Sequence, residues 1–203
     1  MQFYEWLNQT FWWLDSSIFR ATNELANNCP WISSVARFIS YFGDKGLFFI
    51  LLTVVLLVFR KTRKVGIVLA FGLIFNHLFN NMFLKNIVAR PRPYNEVDEF
   101  RLMWEAHSTA FEKSFSFPSG HTSMAALVGV GLFVMLNKKY SWAFLLIPLL
   151  MGWSRIALFV HYPSDVLGGL ITGTLAVVVG FFAMKLLLKW KFAENLTVGD
   201  KLF

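Results

Sequence analysis

Long apolar stretches separated by short clusters of charge constrain this chain more than any other feature. A helix that crosses a bilayer needs roughly 20 predominantly apolar residues at a 1.5 Å rise. Residues 46–59 form a short continuous run; 65–84, 120–136, 142–160 and 166–188 are longer. Of 203 residues, 56% are hydrophobic and 15% charged, against roughly 25% charged in an average soluble domain. With 23 Phe and 8 Trp, the apolar surface exceeds what a small water-soluble core can hide. The reading is an all-α integral membrane protein, a helical bundle with about five transmembrane helices in a single domain over 1–203.

Residues 1–42 have a different pattern. Leu7, Phe11, Leu14 and Ile18 recur at helical spacing with Glu5, Asn8, Asp15 and Arg20 interspersed, which predicts a helix lying in the membrane interface. Trp31 to Phe42 reads as a second interfacial helix or as the start of a sixth span, and Gly43-Asp44-Lys45-Gly46 as a turn. Met1 to Trp6 lacks a basic region leading into an apolar stretch, so no cleaved signal peptide is expected. The single cysteine, Cys29, excludes an internal disulfide and a multi-thiolate metal site. The net charge of +7 comes from basic residues that flank apolar runs, where they set orientation and meet anionic lipid heads. No nucleic-acid partner is expected.

Basic residues also give an orientation. Under a five-span arrangement Arg60, Lys61, Arg63, Lys64, Lys138, Lys139, Lys185, Lys189, Lys191 and Lys201 share one face. Arg20, Arg37, Lys45, Lys85, Arg90, Arg92, Arg101, Lys113 and Arg155 share the other, where Lys85, Arg92 and Arg155 have a further reason to be present. The remaining bias is ten against six, which places the C-terminus in the cytoplasm and the opposite face outside. The link from Ala89 to Pro118 is longer than the about 12–15 residues usual for an unstructured connection. It carries Glu96, Asp98, Glu99, Arg101, Trp104, Glu105, His107 and Glu112, and reads as a cap over a site or as a linker.

Three groups of residues carry the chemistry. Lys85 ends the second span, and Pro91 and Pro93 hold Arg90 and Arg92 on stiff backbone just beyond it. A guanidinium fork matches two phosphate oxygens, and lysine adds a compact charge; a basic collar at a helix end is the plainer alternative. Pro118-Ser119-Gly120-His121 precedes the third span, with Ser119 placed as N-cap and the Gly120 and His121 amides in the first turn. Such a helix start attracts phosphate. Ser154-Arg155 lies late in the fourth span and His161 at its end. Pro163 suits the first position of the next helix, and Asp165 falls in its first turn. A sharp turn there would return the Asp165 carboxylate to the His161 ring and fix its tautomer. His77, Asn81 and Lys85 recur every four residues, which suits a headgroup contact or, with Asn76 and Asn80, hydrogen bonding between helices. His107 is expected to be exposed and without a role. The sequons at Asn8 and Asn195 fall on opposite faces, so at least one is fortuitous.

Ionisable residues at a membrane edge are costly and usually functional, and all three groups fall on one predicted face. Together Lys85…Arg92-Pro93, Pro118-Ser119-Gly120-His121 and Ser154-Arg155…His161…Asp165 resemble the three-part signature of the type 2 phosphatidic acid phosphatase family, at all eleven specified positions across 85–165. The resemblance implies that His161 attacks phosphorus to form a phosphohistidine, oriented by Asp165. It implies that His121 protonates the leaving oxygen and then activates water. Lys85, Arg92, Arg155, the Ser119 hydroxyl and the Gly120 amide would hold the phosphate oxygens, with no metal and no cofactor. The implied substrate is a lipid phosphate or diphosphate, with undecaprenyl diphosphate first and phosphatidylglycerophosphate or phosphatidate as alternatives. Transfer of the phosphoryl group to another acceptor would use the same residues. Oligomeric state is not legible.

Overall fold

The computed structural model describes residues 2–136 and 138–189; Lys191, Lys201 and the Asn195-Leu196-Thr197 sequon lie outside the described residues. Those described form helices and connections, with no strand. Helix α1 spans Phe3–Asn28 and α2 spans Trp31–Tyr41. A kinked turn leads to α3, Leu47–Val58. Helix α4, Arg63–Asn76, runs through a π-helical segment, His77–Leu84, into α5, Lys85–Val88. Two short helices follow, α6 (Pro93–Glu96) and α7 (Asp98–His107). The bundle is completed by α8 (Gly120–Leu136), α9 (Leu146–Ala157) and α10 (Pro163–Leu188).

Helices α4, α8 and α10 pack against one another at the centre, with α3 on α4 and α9 between α8 and α2. Their core is aliphatic: Val65, Val68, Leu69, Leu127 and Val128 are inaccessible. Small residues allow the approach. A Cβ at Gly173 would lie 2.2 Å from the Ser123 carbonyl oxygen, and one at Gly180 would lie 2.1 Å from that of Val68. Close backbone contact of this kind holds helices together where lipid removes the hydrophobic drive. Away from the core, Leu47, Leu51, Val54 and Val58 of α3 are exposed, an apolar face suited to acyl chains.

Three helical stretches are long and apolar enough to cross a membrane, Trp31–Val58, Arg60–Glu96 and Pro163–Leu188, with shorter apolar helices at Gly120–Leu136 and Ser141–Ala157. The protein is a multi-pass membrane protein. Within the first stretch, Trp31–Tyr41 is a helix of its own. It joins α3 through a kink at which Lys45 and Gly46 have φ of 52° and 66°.

Helix α1 also does more than lie in an interface. Its buried side includes Leu7, Asp15, Ser16, Phe19 and Ala26, and it packs on α9 and α10, while Trp6, Trp12 and Trp13 stay exposed. The 89–118 connection is a cap rather than a linker. Tyr94 stacks on Trp104 with ring centroids 4.7 Å apart. The Tyr94 hydroxyl donates to the Glu112 carbonyl (3.0 Å) and accepts from the Glu112 amide (3.1 Å), and Trp104 Nε1 donates to the Ala110 carbonyl at 2.8 Å. These bonds strap residues 110–116 across the end of the bundle. His107, expected to be exposed and without a role, is half-buried: its Nε2 lies 3.0 Å from Asn23 Oδ1 and its ring stacks on Phe159.

Candidate active site

Helix ends build the site. The end of α5, the starts of α8 and α10 and the turn after α9 meet at one end of the bundle, beneath the cap. The basic links Arg60–Lys64 and Lys138–Lys139 lie at the opposite ends of these helices.

His161 sits in the turn between α9 and α10, where Phe159 has φ 54° and Pro163 takes the first helical position. Arg92 Nη1 ties this turn down by donating to the Val160 carbonyl at 2.8 Å. The same nitrogen lies 3.0 Å from His161 Nε2. An arginine donates only, so Nε2 carries the lone pair and Nδ1 the proton. Nδ1 faces Asp165 Oδ2 at 3.5 Å, a long contact. Burial, then the positive charge of Arg92, hold the imidazole well below its ordinary pKa. The ring is neutral at pH 7, and its Nε2 lone pair, which accepts from Arg92 here, becomes the nucleophile once that guanidinium turns to a phosphate oxygen. Loss of kcat/KM on acidification should therefore occur below pH ~6.5, the ordinary histidine value; a pH–rate profile whose acid limb lies above that value would contradict the assignment.

Asp165 is fixed from four directions. Its Oδ2 accepts from the Ser116 hydroxyl (2.5 Å) and the Tyr162 amide (2.9 Å), besides facing His161. Its Oδ1 accepts from Arg90 Nη1 at 2.7 Å. Arg90 thus does not join Arg92 facing the site. It is 1% exposed and bonds Asp15 Oδ2 (2.9 Å), Ser164 Oγ (2.7 Å) and Asn8 Oδ1 (2.8 Å), with its guanidinium 3.8 Å over the Tyr162 ring. Asp15 Oδ1 accepts in turn from the Ser164 amide at 2.8 Å. The N-terminal helix is therefore bolted to the carboxylate behind His161, and the Asn8 sequon residue has a structural use.

Lys85, Arg92 and Arg155 form the cationic cup. Lys85 Nζ donates to Ser114 Oγ at 3.1 Å, and Arg92 donates to the Ser114 carbonyl (2.9 Å), Ser114 Oγ (3.1 Å) and the Phe115 carbonyl (3.3 Å). Arg155 Nη1 donates to Ser40 Oγ, and its Nη2 donates to Glu112 Oε1 at 2.6 Å. Arg155 Nε is buried with no acceptor among the described residues. Glu112 also stands 3.8 Å from Arg92. Burial raises its pKa, but Arg155 and then Arg92 outweigh that and hold it below the ordinary value. The cup is thus filled by a carboxylate from its own cap.

At the start of α8, Ser119 Oγ lies 2.9 Å from Thr122 Oγ1 and 3.4 Å from the Thr122 amide, so the hydroxyl caps the helix as its position suggested. Gly120 lines the cavity beside the cup together with His121. His121 Nε2 is 3.2 Å from Asp44 Oδ1. Its ring packs on Gly43, where a Cβ would come within 2.4 Å of His121 Cδ2; only glycine fits. Ser154 Oγ is satisfied by the Met151 carbonyl at 2.7 Å and has no place in the site.

The structure brings Lys85, Arg92, Gly120, His121, Arg155, His161 and Asp165 to one end of the bundle. The sequence reading missed Asp15, Asp44, Glu112, Ser114 and Ser116 as partners of these groups. One signal was present: Asp15 lies four residues after Phe11 and eight after Leu7, on the apolar side of its helix, where a charge needs a buried partner.

Helices, cup and imidazole together define a membrane-embedded phosphatase. The chain belongs to the PAP2 superfamily, whose family model matches residues 61–189. It is 30% identical over 172 residues to the undecaprenyl-diphosphatase BcrC of Bacillus subtilis, covering 83% of this chain and 81% of that protein. It is 31% identical over 170 residues to phosphatidylglycerophosphatase B of the same organism, covering 77% and 75%. The crystal structure of a transmembrane PAP2-type phosphatidylglycerolphosphate phosphatase from Bacillus subtilis superposes with a TM-score of 0.66 at 26% identity, covering 97% of this chain and 95% of that one. The protein is a PAP2 lipid phosphatase.

Proposed function

We propose that the protein hydrolyses a lipid diphosphate, foremost undecaprenyl diphosphate, through a phosphohistidine on His161. The observation that carries the reading is the neutral His161 Nε2, 3.0 Å from the guanidinium of Arg92 and backed by Asp165. In the first step Nε2 bonds to the terminal phosphorus while the bond from phosphorus to the bridging oxygen breaks. His121 gives its proton to that oxygen. In the second step His121 takes a proton from water, the water oxygen bonds to phosphorus, the P–N bond breaks and inorganic phosphate leaves. This reciprocity is what general acid–base catalysis requires of one residue serving both steps. Lys85, Arg92 and Arg155 stabilise the equatorial oxygens as charge redistributes. The Gly120 amide and the Ser119 hydroxyl at the α8 start complete the grip. The two Bacillus subtilis relatives support the lipid class, and the undecaprenyl-diphosphatase supports the choice of a diphosphate.

The test is phosphate release by the purified protein in detergent, with EDTA, from undecaprenyl diphosphate, phosphatidate and phosphatidylglycerophosphate. The reading expects the highest kcat/KM for the diphosphate and no requirement for magnesium, because fixed cations do the neutralising. Strict magnesium dependence, or a preference for phosphatidate, would contradict it.

Substrate phosphate must displace Glu112 from Arg155. Glu112→Gln removes the competing charge, so vanadate, an anion resembling five-coordinate phosphorus, should inhibit this variant at several-fold lower concentration than the parent protein. Weaker inhibition would mean that the carboxylate helps to hold the anion rather than competing with it.

The proposed orientation puts this end of the bundle outside the cell and the C-terminus in the cytoplasm. In a Cys29→Ser background, an impermeant thiol reagent applied to whole cells should label Glu105→Cys and spare Lys138→Cys. The reverse pattern would invert the topology.

A further inference from the structure

We infer that Lys45, His77 and Asn81 form a second anion subsite beside the catalytic cup, built to hold the leaving phosphate of a lipid diphosphate. The inference rests on the diphosphate reading above. A cavity of about 530 Å³ lies between α3 and the π-helical segment and reaches Lys85, Glu112 and His121. It continues past the cup, with Lys45, His77 and Asn81 beside Ile50, Leu73 and Met124. A volume of this size accommodates a phosphate group and the first part of an apolar tail.

The same stretch of helix sorts its polar residues into two sets. Asn76 and Asn80 are buried and bond across the bundle: Asn76 Nδ2 donates to Ser123 Oγ and Asn80 Nδ2 to Thr172 Oγ1, both at 3.1 Å. His77 and Asn81 point the other way. They are exposed and bond each other, Asn81 Nδ2 to His77 Nδ1 at 3.3 Å. Interhelical bonding accounts for the first pair and not for the second. Polar side chains on the open face of a membrane helix are costly and mark a substrate path. They also sit in a π-helical segment, His77–Leu84, a distortion that recurs at functional sites. Lys45 is held at φ 52°, an uncommon conformation for a residue with a side chain. Asn81 is next to the cup: its Oδ1 is 3.6 Å, and Lys85 Nζ 4.0 Å, from where a Cβ on Gly120 would be.

The direction of the reaction gives this wall its task. In-line attack by His161 sends the leaving oxygen to the opposite side of phosphorus, toward His121, which lines this cavity. A monoester departs as an alcohol once His121 has protonated it. A diphosphate departs as a lipid phosphate that is still anionic, and burying it without a counter-charge is costly. Lys45 supplies the charge, and His77 and Asn81 supply donors. The anions already at this cavity are Asp44, beside Lys45 and 3.2 Å from His121, and Glu112, which lines it and pairs with Arg155.

The experiment compares kcat/KM for polyprenyl diphosphate and polyprenyl monophosphate of the same tail in the full-length protein, Lys45→Met, Lys45→Arg and the double variant His77→Ala/Asn81→Ala. Losing one charge-assisted contact should lower the diphosphate-to-monophosphate ratio about tenfold, with Lys45→Arg recovering most of it. An unchanged ratio, whether both rates hold or fall together, overturns the subsite. Methylenediphosphonate and inorganic phosphate provide an independent reading as inhibitors of whichever lipid phosphate is hydrolysed. The variants should lose the preference for the diphosphonate, and retention of that preference overturns the subsite. If the parent protein does not hydrolyse the diphosphate, the substrate reading fails by itself, and the inhibitor ratio decides the subsite.

Discussion

His161→Ala should release no phosphate above the protein-free blank from any lipid phosphate, while keeping the parent protein's elution profile and thermal midpoint in detergent. Removing the nucleophile from a preorganised site costs roughly 10⁴-fold or more in kcat. The neighbouring groups make this prediction sharp. Arg92, Asp165 and the cup would all remain, so the substrate would bind and turnover alone would vanish. The imidazole ring makes no strong hydrogen bond besides the one from Arg92, so its loss leaves few groups stranded. Asp165→Asn would be less clean, because that carboxylate also satisfies Arg90, Ser116 and Tyr162. Turnover by His161→Ala within tenfold of the parent would remove histidine from the covalent role.

The second large effect concerns folding. Arg90→Ala strands Asp15 and Asp165, which are 1% and 0% exposed. Deleting one partner of a buried ion pair costs about 3–5 kcal/mol, a large part of the ~5–15 kcal/mol that holds a typical domain together. The variant should therefore be recovered poorly, and what is recovered should unfold at a markedly lower temperature than the parent. Asp15→Asn should cost less, since the remaining side-chain oxygen can still accept from Arg90 and the Ser164 hydroxyl and only the Ser164 amide loses its acceptor. A double-mutant cycle with Arg90→Ala and Asp15→Asn separates their coupling from the two single effects. Additivity in that cycle, or an unchanged midpoint for Arg90→Ala, would contradict the role given to this network.

What could be read from the chain follows the physics of range. The apolar runs at 65–84, 120–136 and 166–188 announce helices because hydrophobicity is local. Pro163 and Asp165 announce a helix start because caps act within one turn. The signature residues could be grouped because each motif is short and dense in charge. Partnerships across the fold left no such trace. Arg90 and Asp15 are 75 residues apart, and Arg155 and Glu112 are 43 apart. Nothing in their neighbours indicates which cation faces the site and which supports it from behind. Arg90 and Arg92 are two residues apart, and only the packing of α1 separates their tasks. The Gly43–Gly46 segment was legible as a turn, but not as the support that Gly43 and Asp44 give His121, because that contact depends on how this turn meets α8.

The central claim is a covalent phosphate on one imidazole. It can be read most directly by alkaline quench of the His121→Ala protein during turnover of undecaprenyl diphosphate, followed by peptide mass spectrometry. A lipid phosphate is a weakly basic leaving group that can depart without the acid, whereas water attack needs the base, so the account predicts an acid-labile phosphate on the peptide containing His161, and none in the double variant that also carries His161→Ala. Phosphate on another residue, or a label that persists in the double variant, would contradict it.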